Sequence, residues 1–332
     1  MTPFLPAAPL RVYIENNRAR DLAYYVTEDA VRRALSDVVE LSLVVDRYRG
    51  EVDAAALSQC DLLIGAAFEI DAVRTYGKNL RLVHSTSAGV EALLPLNWLP
   101  AACLLTNSSG VHTDKAGEFG LLALLMLNDH IPQHATSQRA HLWRRKLGTP
   151  IRGKRVLIYG VGALGSGVAR NARLMGLEVW GIRRSAEPHP DVDRMFSPGD
   201  LDALLPEVDF LVVTAPLTAS TRGAIGPVQI ARMKPGAGLV NMARAPIVDY
   251  EALAQGLREE RLSGAVLDVF EPEPLPPDSP WWDVPNLAVI PHVSSDNAID
   301  YVTQSLAILR ENVRRMGSGE ALVNVVDSDA GY

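Results

Sequence analysis

The stretch V-L-I-Y-G-V-G-A-L-G-S-G, Val156 to Gly167, decides the fold of this 332-residue chain. A short apolar run, typical of a buried strand, stops at the first glycine, and a helix-forming segment runs from Ala163 to Met175. A glycine turn between a strand and a helix is the fingerprint of a dinucleotide-binding site, because the turn lets a pyrophosphate approach the free N–H groups of the helix start. The residues predicted to hold the pyrophosphate are Gly160, Gly162, Ala163, Leu164 and Gly165. The alternative is a plain β–α turn without a ligand, which the flanking strand and helix make less favourable.

Composition places the chain among soluble globular proteins, since 48% of its residues are apolar and 21% are charged. A net charge of −7 gives no general attraction to nucleic acid or to an anionic membrane. Cys60 and Cys103 stand alone in apolar surroundings, so neither a metal site nor a disulfide framework is expected. Met1–Pro9 lacks the pattern of a signal peptide and no apolar run has the length of a membrane span, so we expect a cytoplasmic protein.

Apolar runs alternate with helix-forming segments along the whole chain, which predicts an α/β fold with parallel sheets. We expect two doubly wound domains: a Rossmann nucleotide domain over 109–294 and a smaller, discontinuous, flavodoxin-like substrate domain over 1–108 and 295–332. A last helix, Asp296–Met316, is expected to return to the first domain, and a long apolar helix, Lys115–Asn128, to be buried on more than one side. Strands are predicted at Leu10–Glu15, Leu41–Val45, Asp61–Ile64, Arg81–His84 and Cys103–Thr106, and then, as six Rossmann strands, at Arg155–Tyr159, Glu178–Ile182, Asp209–Thr214, Gly238–Met242, Gly264–Asp268 and Leu287–Ile290.

Two loops of the first domain follow predicted strands and carry small residues. They are Gly65–Phe68 and Ser85–Val90. Ligands of open parallel sheets bind beyond the carboxyl ends of strands, and exposed backbone N–H groups suit a carboxylate. From the local sequence alone, two ordinary βα turns are the favoured interpretation.

The end of the second Rossmann strand bears on the choice of cofactor. An NAD site has an acidic residue about 20 positions after the first glycine, where it binds the ribose hydroxyls. Here the strand is followed by Arg183, Arg184 and Ser185. Guanidinium groups and a hydroxyl suit a 2′-phosphate, so we expect NADP(H) to be preferred, with NAD(H) possible. The alternative is a solvated basic pair.

Three polar residues just past strands of the nucleotide domain form a plausible dehydrogenase set: Arg244, Glu273 and His292. A histidinium can give a proton to a carbonyl oxygen while hydride reaches the carbon, and a carboxylate beside it orients the ring. An arginine can clamp a substrate carboxylate. Each residue alone also reads as a surface charge, a loop acid or a capping histidine, but a shared position at one sheet edge favours the catalytic interpretation.

Over about Ser85 to Asn324 the chain resembles the D-isomer-specific 2-hydroxyacid dehydrogenase family, which includes glyoxylate/hydroxypyruvate reductases. The motifs that carry the resemblance are A-G-V-E at Ala88–Glu91, the glycine turn, A-P-L-T-A-S-T-R at Ala215–Arg222, M-K-P-G-A-G-L-V-N-M-A-R-A-P-I-V-D at Met233–Asp249, L-D-V-F-E-P-E-P-L-P at Leu267–Pro276 and V-I-P-H at Val289–His292.

The resemblance implies catalytic roles for Arg244, Glu273 and His292 and a nicotinamide carboxamide contact for Asp268. It further implies cofactor contacts at Ala215, Pro216, Thr221, Met242 and Ala243. Substrate contacts are expected at Phe68, Ala88, Gly89, Val90, Arg244 and Ser295. A homodimer is implied, in which Trp143 resembles a tryptophan that some of these reductases lend to the partner. The activity implied is the reversible, NADPH-dependent reduction of a small 2-oxo acid to the D-2-hydroxy acid.

Departures from the family pattern leave other interpretations open. Ala245 replaces the usual glycine after the arginine, and Val293–Asp296 differs from the more common small or glycine-containing sequence after the histidine. Ser294 and Ser295 are candidates to line the substrate pocket, which leaves the substrate open. A formate dehydrogenase carries glutamine where Glu273 stands, so that alternative is disfavoured. A corepressor-like, dinucleotide-sensing interaction protein shares the three polar residues; the missing acidic residue and the absence of an appended tail argue against it.

Overall fold

The computed structural model describes residues 9–19, 21–297 and 299–328. The expectation about a signal peptide in Met1–Pro9 therefore falls almost wholly outside the described residues, as do the outer ends of the predicted substrate domain. The chain folds into two compact units, one made of residues up to Val111 together with those from Asn297 onward, the other of His112–Asp296. The assignment of a substrate domain and a nucleotide domain to these units stays a prediction.

The elements alternate between strands and helices, as the sequence predicted. The strands are β1 (Leu10–Asn16), β2 (Leu41–Tyr48), β3 (Leu62–Gly65), β4 (Leu82–Ser85), β5 (Leu104–Thr106), β6 (Arg155–Tyr159), β7 (Glu178–Ile182), β8 (Arg194–Phe196), β9 (Phe210–Val213), β10 (Gly238–Asn241), β11 (Gly264–Leu267) and β12 (Leu287–Val289). The helices are α1 (Glu28–Leu35), α2 (Ala54–Leu57), α3 (Ile70–Tyr76), α4 (Thr113–Asn128), α5 (Ile131–Arg139), α6 (Ala163–Leu174), α7 (Leu201–Leu204), α8 (Pro227–Arg232), α9 (Tyr250–Arg258) and α10 (Tyr301–Ser318).

The first unit is a five-stranded parallel sheet with strand order β2-β1-β3-β4-β5. This order is the flavodoxin-like one, so the expected doubly wound architecture is confirmed. Along β1 the side chains alternate: Val12 and Ile14 pack with α1 and α10, whereas Tyr13 packs on the opposite face with Phe68 and Trp98. Both faces are covered, as a parallel sheet requires.

The second unit is a seven-stranded parallel sheet with order β12-β11-β10-β9-β6-β7-β8. Six of these strands follow the Rossmann order, and β12 to β9 lie on one side of β6. Val156 and Ile158 face the cluster that contains α4 and α6, and Leu157 and Tyr159 face the opposite cluster. Successive side chains of β6 therefore point to opposite, buried faces of the sheet, within the same stretch that predicted the fold.

The structure corrects several predicted elements. The sheet of the second unit has a seventh strand, β8, which was not predicted. It is only three residues long, too short to show the alternation of apolar and polar residues that marks a strand in sequence. α10 begins at Tyr301 rather than at the predicted Asp296. Two helices, α3 and α5, were not predicted; α5 reads I-P-Q-H-A-T-S-Q-R and has no regular apolar spacing.

α4 and α6 pack against each other through glycines. A Cβ placed on Gly117 would lie 2.7 Å from the backbone oxygen of Gly167, and one on Gly167 would collide with the oxygen of Thr113. A Cβ on Gly120 would overlap Val168. The two helix backbones thus touch directly, which fixes α6, the helix that follows the glycine turn. None of the helices in the described part of the chain is long and apolar enough to cross a membrane.

Candidate active site

The glycine turn has the shape that a pyrophosphate requires. Gly160 has φ +107°, a left-handed conformation that favours glycine, and a Cβ there would run into the backbone of Ala215. A Cβ on Gly165 would collide with the oxygen of Gly160. A Cβ placed on Gly162 would meet no other atom within 4 Å, and Gly162 is the N-cap residue of α6. The N–H groups of Ala163, Leu164 and Gly165 therefore start the helix at an open cradle, which fits an anionic ligand.

The residues after β7 are placed beside this cradle by the pairing of β6 with β7. Arg183 donates through Nη2 to the oxygen of Glu187 at 2.9 Å, whereas its Nε is buried with no hydrogen-bond partner among the described residues. Arg184 and Ser185 are exposed. A buried guanidinium N–H left unpaired is a costly group, and an anion such as a 2′-phosphate would satisfy it. These residues fit the cofactor chemistry expected from the sequence.

The other predicted cofactor residues line the carboxyl edge of the same sheet. Thr214 donates its hydroxyl to the oxygen of Gly160 at 2.8 Å, which ties the end of β9 to the glycine turn. Thr221 donates to the oxygen of Pro216 at 2.6 Å and closes the loop that begins at Ala215. Met242 and Ala243 follow β10 and are buried.

His292 and Glu273 come together at this edge, 19 residues apart in sequence. Nδ1 of His292 lies 2.7 Å from Oε2 of Glu273. The other carboxylate oxygen, Oε1, accepts a hydrogen bond from the backbone N–H of Phe270 at 2.7 Å, so the carboxylate is fixed on both sides. The His292 side chain is 48% exposed, so its second nitrogen can reach a ligand.

Asp268 holds the turn that carries His292. Its Oδ1 accepts the N–H groups of Val293 at 2.9 Å and Ser294 at 3.0 Å, and its Oδ2 accepts the Ser294 hydroxyl. His292 itself has φ +54°, a left-handed conformation that a non-glycine residue adopts only when its surroundings hold it there. Burial raises the pKa of Asp268 above its ordinary value, and the three donors oppose that shift.

The serines after the histidine are therefore in different positions. Ser294 is buried, with its hydroxyl on Asp268. Ser295 is half-buried, and its carbonyl oxygen accepts a hydrogen bond from Nδ1 of His112 at 2.8 Å. The Ser294 hydroxyl thus supports the His292 turn, and a substrate contact for Ser295 stays a prediction.

Arg244 follows β10 on a turn fixed by Asn241. Oδ1 of Asn241 accepts the N–H of Ala243 at 3.0 Å, and its Nδ2 donates to the oxygen of Arg244 at 3.1 Å. The Arg244 guanidinium donates through Nη1 to the oxygen of Ala243 at 2.8 Å. Asn241 was not predicted as a site residue, although it is a polar residue that ends the apolar strand G-L-V-N.

A family model describing the "D-isomer specific 2-hydroxyacid dehydrogenase, NAD binding domain" matches residues 121–294, which is more than half of the chain. The chain belongs to this family. This dehydrogenase is accordingly an NAD(P)-dependent oxidoreductase, and the resemblance found in its sequence motifs is confirmed.

Its relatives include a glyoxylate/hydroxypyruvate reductase B of Pectobacterium carotovorum, 31% identical over 285 residues, which are 83% of this chain and 88% of that protein. A solved structure of a family member from Xanthobacter autotrophicus, in complex with NADPH and MES, covers 98% of this chain and all of that one, with 28% identity and a TM-score of 0.82. A solved structure of an NADPH-dependent glyoxylate/hydroxypyruvate reductase from Sinorhizobium meliloti, in complex with NADP and sulfate, has 28% identity and a TM-score of 0.79. The match covers 97% of this chain and 100% of that one.

At position 245 this dehydrogenase has alanine where the family pattern has glycine, and the structure gives a simple reason. Ala245 begins a short 3-10 turn, Ala245–Ile247, and does not have a positive φ. An alanine adopts this conformation without strain, so the glycine usual in the family is not needed here.

The predicted substrate residues of the first unit of the dehydrogenase lie after β3 and β4. Gly89 is exposed, and the oxygen of Ala88 accepts a hydrogen bond from Nδ2 of Asn107 at 2.8 Å. Val90 is 2% exposed. Phe68 is also 2% exposed and packs against Trp98 in the core, so its side chain shapes the loop from below and offers a ligand little surface.

Proposed function

We propose that this enzyme reduces a small 2-oxo acid of the glyoxylate or hydroxypyruvate type to the D-2-hydroxy acid, reversibly and with NADPH. The observation that carries the proposal is the 2.7 Å contact between His292 and Glu273 at the sheet edge that also bears the glycine turn. The names of the Pectobacterium and Sinorhizobium relatives support the substrate class.

The proposed chemistry divides between the cofactor and the chain. The nicotinamide supplies the hydride when it is bound. His292 supplies the proton: Glu273 engages Nδ1, so the proton that reaches the substrate oxygen leaves from Nε2. Glu273 keeps the ring in one orientation, because both of its oxygens are held.

Substrate binding is proposed for one side chain and one loop. The Arg244 guanidinium is proposed to bind the substrate carboxylate and to polarise the adjacent carbonyl. The backbone N–H groups of Ala88–Val90 are proposed to receive the same carboxylate, and Phe68 and Ser295 are kept as proposed neighbours of the substrate. Asp268, placed in the structure under the His292 turn, is proposed to contact the nicotinamide carboxamide as well.

NADP(H) is the proposed preferred cofactor, with NAD(H) possible. The buried, unpaired Nε of Arg183 and the exposed Arg184 and Ser185 support this preference. The NADPH and NADP in the Xanthobacter and Sinorhizobium structures also support it. A homodimer is proposed as the working assembly, and a cytoplasmic location stays a prediction of the sequence.

The proposal is tested by following NADPH oxidation with glyoxylate, hydroxypyruvate and phenylpyruvate. We expect turnover with at least one of the two small acids and, from hydroxypyruvate, the D-isomer as product, because the glycolate formed from glyoxylate has no stereocentre. His292→Gln should lower kcat by about 1,000-fold, within the usual range for loss of a general acid, and leave NADPH binding unchanged by fluorescence titration. A His292→Gln variant that keeps wild-type turnover would refute the mechanism, and no turnover of any 2-oxo acid by the wild type would refute the function.

A further inference from the structure

A buried tyrosine hydroxyl joins the ends of two neighbouring strands beneath the candidate site. Tyr250 begins α9, and its hydroxyl donates to the oxygen of Val269 at 2.8 Å while it accepts from Nδ2 of Asn241 at 3.0 Å. Asn241 ends β10 and Val269 lies just beyond β11, the adjacent strand. The hydroxyl is therefore the link between two turns that are separate in sequence.

Each end of this link leads to a residue of the proposed chemistry. On one side, Asn241 fixes the backbone of Arg244, as described above. On the other side, the residue after Val269 is Phe270, whose N–H holds Oε1 of Glu273. Oε2 of Glu273 then holds His292. A continuous path of short hydrogen bonds and covalent backbone runs from the carboxylate-binding arginine to the proton donor.

The tyrosine ring is itself held in place. Its centroid lies 5.9 Å from that of Phe270 and 5.6 Å from that of Trp281, both at edge-to-face angles. The residue is 9% exposed, so a missing hydroxyl would leave the Asn241 amide and the Val269 carbonyl without their partner in a dry environment. The ring packing would remain if only the oxygen were removed.

We propose that Tyr250 is a positioning residue that sets the separation between Arg244 and the Glu273–His292 pair. The inference rests on the proposed function, because it assigns Tyr250 its role through those three residues. Tyr250 is 9% exposed, so the proposed role is indirect: its hydroxyl bonds to Asn241 and to Val269 fix the two turns that carry those residues. The sequence shows Tyr250 only as the first residue of a helix capped by Asp249.

Tyr250→Phe tests the proposal, since it removes one oxygen and keeps the ring. We expect kcat/KM for the 2-oxo acid to fall about tenfold, with a lower kcat and a higher KM for the 2-oxo acid, because small displacements of reacting groups lower rates strongly. The Kd for NADPH should stay within about twofold of wild type. A role in stability alone would lower Tm but would not weaken use of the 2-oxo acid while leaving NADPH binding unchanged.

Tyr13→Phe is the matched control. Tyr13 is 1% exposed, and its hydroxyl accepts the N–H of Asp53 at 3.0 Å in the other unit. It should lose stability as Tyr250→Phe does and keep wild-type kinetics. Asn241→Leu removes the amide that donates to the Tyr250 hydroxyl. The double variant Tyr250→Phe/Asn241→Leu should therefore lose little more activity than Asn241→Leu alone.

Hydrogen exchange gives a readout that does not depend on turnover. In Tyr250→Phe the amides of Ala243 and Phe270 should exchange faster than in wild type, and in Tyr13→Phe they should not. If the wild type reduces no 2-oxo acid, the proposed function fails, and the exchange result still decides whether Tyr250 joins the two turns. If Tyr250→Phe matches Tyr13→Phe in both kinetics and exchange, the inference is overturned.

Discussion

Two buried ionisable side chains in the first unit have opposite effects on stability. His84 is fully buried: its Nε2 donates to the oxygen of Ser305 at 3.1 Å, and its Nδ1 accepts from the hydroxyl of Thr106 at 3.0 Å. Burial lowers the pKa of His84 from 6.5 to about 4. Glu15 is 4% exposed, and burial raises its pKa from 4.5 to about 7, although the N–H of Glu69 donates to it at 2.8 Å.

The sign of each contribution follows from which state binds the proton first. As pH falls from 6.5 to 4, the unfolded chain protonates His84 before the folded one does, so about 3 kcal/mol of stability is lost over that window. As pH rises from 4.5 to 7, the unfolded chain ionises Glu15 before the folded one does, and a similar amount, about 3 kcal/mol, is lost. The two windows overlap, so the contributions largely cancel in the wild type.

Single variants should expose each slope. We expect the free energy of unfolding of Glu15→Gln, measured by urea titration between pH 4.5 and 7, to fall by about 2 kcal/mol on acidification, because the contribution of His84 is then no longer offset by that of Glu15. His84→Gln should show the reverse, with stability falling as pH rises. The wild-type curve is the control, and parallel curves for all three proteins would contradict the assignment.

At the scale of elements, the loop after β7 is tied back to the helix that follows the glycine turn. Nε2 of His189 lies 3.1 Å from the hydroxyl of Ser166 on α6, and Nδ1 of His189 accepts the N–H of Asp191 at 3.2 Å. Arg183 holds the same loop through the oxygen of Glu187. The proposed 2′-phosphate site therefore lies on a loop that hydrogen bonds tie to α6.

Removal of the arginines of this loop should change the cofactor preference. We expect the double variant Arg183→Ala/Arg184→Ala to raise the KM for NADPH by at least about tenfold, because charge-assisted bonds to a dianion are lost, and to change the KM for NADH less than about twofold. Steady-state kinetics with both cofactors measure this. Arg232→Ala removes an exposed arginine paired with Asp202 at 3.7 Å, and it should leave both KM values unchanged. Equal losses for NADPH and NADH would count against a 2′-phosphate site.

Elements with a clear apolar run were predictable, and those defined by distant contacts were not. β7 has the predicted bounds, Glu178–Ile182, because E-V-W-G-I is apolar and buried from Val179 onward. The strand β8 is recognisable only from its pairing with β7. Among site residues, the position of His292 past a strand was readable from V-I-P-H. Its left-handed backbone was not, because that depends on Asp268, whose bonds to the turn span 25 and 26 residues.

At the scale of the whole molecule, one segment of the second unit exposes three large apolar side chains. Trp143 is 95% exposed, Leu142 52% and Leu147 78%, all within one irregular segment after α5. α4 was expected to be buried on more than one side; it packs against α6, the sheet and α5, but Leu122 on that helix is 51% exposed. Apolar surface of this kind supports the proposed homodimer.

A charge placed on this surface should separate the subunits. We expect wild type to elute with about twice the chain mass of 36.0 kDa in light-scattering chromatography, and Leu147→Asp to shift toward the monomer, since a buried carboxylate opposes association. Leu174→Asp is the control, because Leu174 is equally exposed, at 78%, and lies at the end of α6. A monomeric wild type would rule out the homodimer.

The contact of α4 with α6 through Gly117 and Gly167 also limits how this enzyme can be re-engineered. Exposed positions in the loop after β7 and in the segment after α5 border solvent, so a larger side chain has room there. The seam between the two helices has room for none, so neither helix can be exchanged alone for a version from another reductase. A chimaera that swaps the nucleotide-binding turn has to carry both helices across together.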